Sequence, residues 1–366
     1  MKFIINRERF LKRLQQVAGV VEKRQTLPVL SNVLLEVSDG ELVVTGTDLE
    51  LELVARLGLE GKSETGEVTV PARKLLDICK SLPAEADIEV SVDGEKVRVR
   101  SGRSRFSLVT LPASEFPRVE EQEGGSSFSI DPSVLRDLID RTAFSMAQQD
   151  VRYYLNGMLF ELTRGRLRTV ATDGHRLALA DAEVEEIADE SQVIVPRKGV
   201  MEISRLLADC EDPVQVLVGR NHLRLSTDGV TFTSKLVDGK FPEYERVIPR
   251  EGERRLNADR ESLRRALSRV AILSNEKYRG VRVQLSGQSL RLQANNPEQE
   301  EAEEELSVEF NGADLDIGFN VSYLLDVLNT MSGNEVEVQL GDSNSSALLV
   351  DSAFRAALYV VMPMRL

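Results

Sequence analysis

An internal repeat constrains the fold of this chain more than any other feature of its sequence. Four landmarks in the first third recur at a constant spacing of 125 residues, with no insertion between them. The landmarks are Phe3, Thr47-Asp48, Val70-Pro71 and Phe116-Pro117, and their matches are Phe128, Thr172-Asp173, Val195-Pro196 and Phe241-Pro242. Self-similarity at a fixed period indicates a fold assembled from copies of one structural unit.

A third, more divergent copy occupies the remainder of the chain. Residues 256–259 (LNAD) resemble residues 128–131 (FSID), and the run 319–327 (FNVSYLLDV) stands where Val195-Pro196 would fall. We therefore predict three similar domains of about 120 residues each, a usual size for one domain. Their predicted bounds are 1–122, 127–249 and 254–366, and the segments 120–127 and 250–255 are predicted to be solvated linkers.

Each copy is itself predicted to be double, with a helix followed by alternating strands in each half. Phe10, Leu14 and Val17 have the spacing of an amphipathic helix, and the turn 38–40 (SDG) predicts a hairpin. The predicted helices cover 7–19, 72–82, 132–147, 196–207, 259–273 and 320–330, and the predicted strands of the first copy cover 33–37, 41–45, 49–59, 88–92, 96–100 and 104–110. This pattern indicates an α+β fold of antiparallel sheets, and sheets of neighbouring copies can pair at their edges.

Charge is distributed unevenly between the predicted helices and the rest of the chain. The formal net charge of −14 argues, at face value, against nucleic acid as a partner. The six predicted helices nevertheless carry +8, which leaves −22 for the remaining residues. If the helices share one face of an assembly, they form a surface for a polyanion. The alternative is a set of solvated helix faces with an incidental basic excess.

Helix dimensions favour a dimer if the helices line a bore. Six helices packed about 8–10 Å apart enclose a hole under about 10 Å, whereas twelve enclose one of about 25 Å, wide enough for a double strand. A seam for this dimer is predicted between the acidic run 297–306 of copy three and the basic run 98–108 of copy one. A head-to-tail contact between such unlike ends can close into a ring. The alternative for the acidic run is a solvated loop.

The sequence also predicts a cytoplasmic protein. No apolar run approaches the roughly 18 residues that a membrane helix needs, and the polar run 6–9 follows directly on residues 3–5, so no signal peptide is expected. Cys79 and Cys210 are the only cysteines and do not occupy equivalent places in the repeat. A disulfide framework is therefore not expected, which is typical of a reducing compartment.

Four runs of the sequence resemble a known family over essentially the whole chain. They are 149–157 (QDVRYYLNG), 171–177 (ATDGHRL), 195–199 (VPRKG) and 359–366 (YVVMPMRL). They resemble the bacterial DNA polymerase III β subunit family, the sliding clamps. The resemblance implies a head-to-tail homodimeric ring that encircles duplex DNA, slides without sequence specificity and tethers the replicative DNA polymerase. It also implies no catalytic step, no cofactor and no metal, and an ATP-driven clamp loader that opens the ring.

The same resemblance implies three sets of site residues. The DNA-binding set is Arg24, Arg73, Gln149, Tyr153, Tyr154 and Lys198. The pocket for other DNA polymerases and repair proteins, which insert a short apolar peptide, is Leu155, Thr172, Gly174, His175, Arg176, Leu177, Pro242, Arg246, Val247, Ser346, Val360, Val361, Met362 and Met364. The dimer interface is Arg103, Arg105, Phe106 and Leu108 against Ile272, Leu273, Glu298, Glu300, Glu301, Glu303 and Glu304.

The residues themselves are compatible with these roles and with plainer ones. Arginine and lysine neutralise phosphates without reading sequence, and tyrosine can stack on an exposed base. One ring of the pair Tyr153-Tyr154 could instead pack inward. A methionine-rich apolar C-terminal segment adapts to many ligands, although residues 359–362 could equally form the last core strand.

Two other classes of function remain as alternatives. His175 beside Asp173 suggests acid–base or nuclease chemistry, but the chain has only one further histidine, His222, and no clustered metal-ligand spacing. Neither a GxxxxGK[ST] loop nor a GxGxxG run is present, so nucleotide hydrolysis is not expected. A sequence-specific DNA binder would need one exposed recognition helix, whereas the basic residues are spread over several helices.

Overall fold

The computed structural model describes residues 1–21, 27–119, 124–187, 189–249 and 252–365. Across these ranges the chain is α+β, as predicted. Its helices are α1 (Arg7–Ala18), α2 (Ala72–Ser81), α3 (Pro132–Thr142), α4 (Arg197–Leu207), α5 (Arg260–Val270) and α6 (Val321–Thr330). All six predicted helices are thus confirmed.

The predicted helix ends need small corrections. The predictions 132–147 and 259–273 run too far, because α3 and α5 give way to short 3-10 turns at Ala143–Ser145 and Ala271–Leu273. Pro196, the first residue of the predicted helix 196–207, instead ends a strand and pairs with Gly157, just as Pro71 ends a strand and pairs with Asn32. Side-chain caps start several helices, as when the Asn6 side chain accepts the backbone N–H groups of the first turn of α1.

Twenty-five strands complete the described part of the chain. The first copy holds β1 (Lys2–Asn6), β2 (Asn32–Ser38), β3 (Glu41–Thr47), β4 (Leu51–Gly58), β5 (Gly66–Pro71), β6 (Asp87–Asp93), β7 (Lys96–Ser101) and β8 (Ser104–Val109). The second holds β9 (Ser126–Ile130), β10 (Gly157–Thr163), β11 (Arg166–Thr172), β12 (Arg176–Glu183), β13 (Ser191–Pro196), β14 (Val214–Val218), β15 (His222–Thr227) and β16 (Val230–Lys235). The third holds β17 (Arg254–Asp259), β18 (Gly280–Ser286), β19 (Ser289–Asn295), β20 (Glu301–Ser307), β21 (Glu309–Asn311), β22 (Leu315–Asn320), β23 (Glu335–Leu340), β24 (Ala347–Asp351) and β25 (Ala357–Val361).

The strand bounds confirm the repeat. Strands β2 to β5 and β10 to β13 begin and end 125 residues apart at every bound. The predicted strand 49–59 is shorter than expected, because Leu49 lies in a turn and β4 begins at Leu51. β1 and β5 were not among the predicted strands; they are short segments immediately before helices.

The strands form four antiparallel sheets. Two have four strands, in the orders β1-β6-β7-β8 and β20-β19-β18-β22. The eight-stranded sheet has the order β5-β2-β3-β4-β16-β15-β14-β9, and the nine-stranded sheet the order β13-β10-β11-β12-β25-β24-β23-β17-β21. Strands of neighbouring copies therefore join, β4 with β16 and β12 with β25, so the edge-to-edge pairing that the sequence allowed is present.

The chain divides into two compact units, and the middle copy contributes to both. The first unit holds Met1–Ser133 with Met201–Leu236, and the second holds Val134–Val200 with Val237–Leu366. In the first unit α1 packs on α2, β3 and β4 and buries Phe10, Leu14 and Val17. In the second unit α5 packs on α6 and buries Leu263, Ala266, Leu267 and Val270. No helix of the described chain is both long and apolar enough to span a membrane.

Candidate functional site

A tight turn between β11 and β12 carries several predicted pocket residues. The Thr172 hydroxyl donates to the carbonyl of Arg176 at 2.6 Å, and the Asp173 carboxylate accepts the backbone N–H groups of His175 and Arg176 at 2.9 and 3.1 Å. Gly174 occupies the left-handed region with φ 88°, which glycine adopts without strain. The turn therefore fixes Thr172 inside and presents His175 to solvent.

The Arg176 side chain is half-buried and links neighbouring segments instead of presenting its charge to solvent. Its guanidinium donates to the Asp173 carboxylate at 3.1 Å and to the Phe144 carbonyl at 2.8 Å, and it also bonds Asp326 of α6. It lies 4.6 Å from the ring centroid of Tyr323, on which the His175 ring stacks. Tyr323 belongs with this group but was not among the predicted pocket residues, because nothing in its own stretch of sequence marks it.

The same geometry bears on the enzyme alternative. The Asp173 carboxylate bonds backbone N–H groups and Arg176, and the His175 ring stacks on Tyr323. Asp173 therefore stabilises the turn, and the two side chains are not arranged as an acid–base dyad. Among the residues that the structure describes, no group of three or more histidine, cysteine or acidic side chains could hold a metal ion.

Strand β25 lies beside this turn and closes the floor of the site. Leu177 pairs with Val360 and Arg176 with Val361, and the Met362 N–H donates to the His175 carbonyl at 2.9 Å. Val360 and Val361 are fully buried. These two valines therefore belong to the last core strand. Met362 and Met364 follow it and are half-buried, which leaves them as the adaptable surface of the segment.

The segment 241–249 forms a second wall. Arg246, Val247 and Ser346 come together on an open groove of about 530 Å³, whose other lining residues are Glu245, Ile248, Pro249, Gly252, Gly341 and Ser345. Arg246 is exposed and pairs with Glu243 at 2.5 Å. Phe241, Tyr244, Leu177 and Val360 share one buried core cluster, so the groove and the turn rest on the same core.

A loop ahead of β10 carries three of the predicted DNA-binding residues and one pocket residue. Gln149 is exposed in a left-handed conformation with φ 56°, and Tyr153 is 58% exposed. Tyr154 packs against the core cluster beneath the groove and Leu155 is buried. One ring of the tyrosine pair therefore points outward and the other packs inward.

Arg152, which was not predicted, ties this loop to the turn. It donates to both carboxylate oxygens of Asp150, at 3.0 and 2.9 Å, and to the Asp173 carbonyl at 3.2 Å. The hydrogen bonds from Arg152 lower the pKa of Asp150 to about 2, so this pair is ionised at neutral pH. A side chain added at Gly174 would meet the Arg152 guanidinium, which is a second reason for glycine there.

Several basic residues of the helices serve the fold itself. Arg7 donates to the Cys79 and Lys80 carbonyls of α2, Arg205 to the Gln16 carbonyl of α1, and Arg260 to the Leu328 carbonyl of α6. These groups sit at helix C-termini, where carbonyls lack intrahelical partners. Part of the predicted helix charge is therefore structural and is not presented to a polyanion.

Other basic residues remain on the surface. Arg73 is exposed on α2 and Lys198 is half-buried on α4, while Arg24 lies outside the described residues. In the first unit, exposed Lys12 and Lys80 share an open groove of about 420 Å³ with Gln15, Gln16 and Arg205. The cationic surface is thus a set of patches.

The two predicted halves of the dimer seam are both edge strands. Among the described strands, β8 pairs only with β7, and β20 only with β19. Arg103 is exposed in the turn before β8, and on β8 Arg105 is exposed, Phe106 is half-buried and Leu108 is buried. The acidic residues Glu298, Glu300, Glu301 and Glu303 are exposed on and before β20, and Ile272 is 75% exposed beside half-buried Leu273.

Glu304 differs from the other acidic residues of β20. Its carboxylate already accepts two hydrogen bonds from Arg269 of α5, at 2.5 and 2.9 Å, and these hold its pKa below the usual value. Glu304 therefore has an arginine partner in its own chain. Glu303 accepts a hydrogen bond from Gln293 at 2.6 Å, although Glu301 and Glu303 are both exposed.

Comparisons with known proteins give one consistent result. Family models of the DNA polymerase III beta subunit match in three parts, the N-terminal domain at residues 1–120, the central domain at 129–243 and the C-terminal domain at 245–365. The chain is 61% identical over 368 residues to the beta sliding clamp of Pseudomonas putida, with 100% of both chains covered.

Solved structures are similar over the same extent. The crystal structure of the DNA polymerase III subunit beta from Pseudomonas aeruginosa matches with a TM-score of 0.98 and 60% identity, covering 100% of each chain. A P. aeruginosa sliding clamp bound to griselimycin matches with a TM-score of 0.97 and 61% identity, again with 100% of each chain covered.

Proposed function

The chain belongs to the DNA polymerase III β subunit family of sliding clamps, and on this premise we propose that two copies close head to tail into a ring around duplex DNA. As a member of this family it is a non-catalytic processivity subunit of the replicative DNA polymerase. The proposal extends to the three domains within residues 1–122, 127–249 and 254–366. It also includes an ATP-driven loader that opens the ring.

The observation that carries the ring is the pair of complementary unpaired edges. β8 offers Arg105 and Phe106, with Arg103 in the turn before it, and β20 offers Glu301 and Glu303. An exposed strand edge tends to pair with another strand, and opposite charge selects the partner and its direction. Pairing β8 of one copy with β20 of the next uses both edges, and two such contacts close the assembly.

DNA contact in this proposal is electrostatic and unselective. Arg24, Arg73 and Lys198 neutralise phosphates, while Gln149 and Tyr153 contact the strand from their loop, which Tyr154 supports from the core side. Phosphate contacts carry no sequence information, and the patchy distribution of the surface cations favours weak, mobile contact. Sliding requires such contact, since a tight and uniform grip would hold the ring in place.

Partner proteins in this proposal insert a short apolar peptide at the turn and groove of the second unit. Leu177 and the buried valines of β25 form the floor, while the walls come from His175, Met362, Val247 and their neighbours. Flexible methionines suit a site that accepts several partners. Polymerases and repair proteins would then compete for one pocket.

Topology gives the sharpest test of the ring. After incubation with a clamp loader and ATP, the protein should remain on nicked circular DNA through gel filtration and leave the same DNA once it is linearised. The solution mass should be twice the chain mass of 40.7 kDa. Equal retention on both DNA forms, or a stable monomer, would contradict the proposal and favour a conventional DNA binder.

A further inference from the structure

Tyr244 lies at the start of the 3-10 turn Tyr244–Val247, which carries Arg246 and Val247 on its outer side. Its own side chain points the opposite way and is only 6% exposed. The ring packs in the core cluster that also contains Leu177 and Val360, and it meets Phe241 edge to face at 6.4 Å. Tyr244 thus touches the floor of the pocket from below while its neighbours form the wall.

The Tyr244 hydroxyl is held by a row of polar side chains across four adjacent strands. It donates to the Glu161 carboxylate and accepts from the Arg168 guanidinium at 3.1 Å. Arg168 in turn bonds both carboxylate oxygens of Asp181, at 2.6 and 2.9 Å, and Gln192 donates to Glu161 at 3.1 Å. These four residues are direct cross-strand partners on β13, β10, β11 and β12.

The row is suited to fix the hydroxyl in one place. Gln192 bonds Glu161 and Asp181 bonds Arg168, so each of the two side chains that contact the hydroxyl is already held by a neighbour on the next strand. Burial raises the pKa of Tyr244 to about 12, so the hydroxyl keeps its proton and donates at neutral pH. Within the part of the chain that the structure describes, the backbone hydrogen bonds of this segment are local, from Tyr244 to Pro242 and from Arg246 to Glu243. Anchoring of the segment to the sheet therefore depends on side chains.

We infer that Tyr244 is a positioning residue for partner binding, whose hydroxyl locks the segment 244–247 onto the polar row and so holds Arg246 and Val247 ready beside the apolar floor. This inference rests on the proposed peptide pocket. A wall fixed before binding loses less conformational freedom when a ligand arrives, and affinity rises accordingly. The polar row on β10 to β13 would thereby determine affinity without touching the ligand.

The test compares Tyr244→Phe with the wild-type chain in two measurements. The first is hydrogen exchange of the backbone amides at 245–248 in the free protein, which should become about tenfold faster when the anchoring hydrogen bonds are lost. The second is the affinity for griselimycin by calorimetry, which should weaken about tenfold for the same reason. Glu161→Gln keeps an acceptor for the hydroxyl and should stay near wild type in both measurements, whereas Glu161→Leu should resemble Tyr244→Phe.

Thr142→Val is the matched control for a general loss of stability. It also removes a buried hydroxyl of the second unit, one that bonds the Leu138 carbonyl at 2.7 Å and Thr169 at 3.1 Å, and it should leave griselimycin affinity unchanged. Tyr244→Phe with unaltered exchange at 245–248, or with unaltered affinity, would overturn the inference. If the wild-type chain itself failed to bind griselimycin, the proposed pocket would fall, and the exchange measurement would still decide whether Tyr244 fixes the segment.

Discussion

At the scale of single residues, one position shows how the repeat constrains its members. Leu49 and Gly174 are 125 residues apart and occupy equivalent turns of the first and second copies, with φ of 79° and 88°. The hydrogen bonds match as well, since Thr47 bonds the Leu51 carbonyl as Thr172 bonds that of Arg176. Leucine is strained in this region of backbone conformation, whereas glycine is not. The first copy thus carries strain that the second avoids.

Leu49→Gly should therefore stabilise the protein. Leu49 is 40% exposed, so little packing is lost, and relief of the left-handed strain should raise the free energy of unfolding by about 0.5–1 kcal/mol. Urea unfolding measures this change. Gly174→Ala is the opposite substitution in the matching turn and should destabilise by a similar amount or more. A loss of stability in Leu49→Gly would show that its exposed side chain has a packing role.

Asp351 makes the fold sensitive to acid. It is fully buried, accepts the backbone N–H groups of Ser332, Gly333 and Ala353, and lies 3.5 Å from the Arg141 guanidinium. Burial acts to raise its pKa, but these hydrogen bonds outweigh burial and hold the pKa below the usual value. A carboxyl whose folded pKa is lowered contributes stability above its unfolded pKa and loses it as pH falls through the folded pKa.

Wild type should accordingly lose stability faster than Asp351→Asn below about pH 4, the unfolded pKa of aspartate. At pH 7 the variant should be less stable by about 2–4 kcal/mol, because a neutral amide replaces the buried carboxylate that accepts three backbone N–H groups, and Arg141 keeps Asp137 as an acidic neighbour but loses Asp351. Thermal melts between pH 7 and pH 3 measure both effects. Parallel curves for the two proteins would mean that Asp351 does not titrate in this range.

At the scale of elements, the sequence predicted the helices and hairpins better than it predicted the tertiary contacts between them. Helical periodicity located all six helices, and the turn 38–40 located the hairpin of β2 and β3, because these signals are local. The merging of sheets at β4 with β16 was only a possibility, since strand pairing depends on residues far apart in sequence. The capping roles of Arg7 and Arg205 were missed for the same reason: charge counting registers a cation but not the carbonyl that it meets.

The candidate site divides in the same way. The turn at Thr172 was recognisable because a compact motif specifies it. Tyr323, Arg152 and Tyr244 were not predicted, since each reaches the site through a side chain from another element. Burial of Val360 was left open, because an alternating apolar strand looks the same whether it lines a pocket or fills a core.

The edge strands allow a prediction about assembly. Arg105→Glu places a carboxylate on the exposed edge of β8 opposite the proposed acidic partner strand, so like charges would face each other at the seam. Such repulsion should weaken dimerisation by at least tenfold, measured by sedimentation velocity at increasing dilution. Lys62→Glu makes the same charge change at an exposed position in the loop 59–65, outside both edge strands, and should leave the dimer intact. Equal dissociation of both variants would argue against the seam.

At the scale of the whole molecule, the charge distribution predicts how DNA contact responds to salt. The logarithm of the affinity falls with the logarithm of the salt concentration, and each phosphate contact removed should reduce the steepness of this fall by about 0.9. Removing Arg73 and Lys198 together should therefore flatten the slope by roughly two. The measurement is binding of the assembled clamp to short duplex DNA between low and moderate salt. An unchanged slope would place the phosphate contacts on other cations, such as Lys12 and Lys80.

The pairing of β4 with β16 and of β12 with β25 also governs how this architecture can be taken apart. A single copy excised at its linkers would leave β4 or β12 with a bare row of amide and carbonyl groups, and such rows attract extended peptides of any origin. The fragment would tend to self-associate through its strands instead of behaving as a small monomer. The smallest transplantable piece of the molecule is consequently a junction between two copies, with half of each, and not the repeat itself.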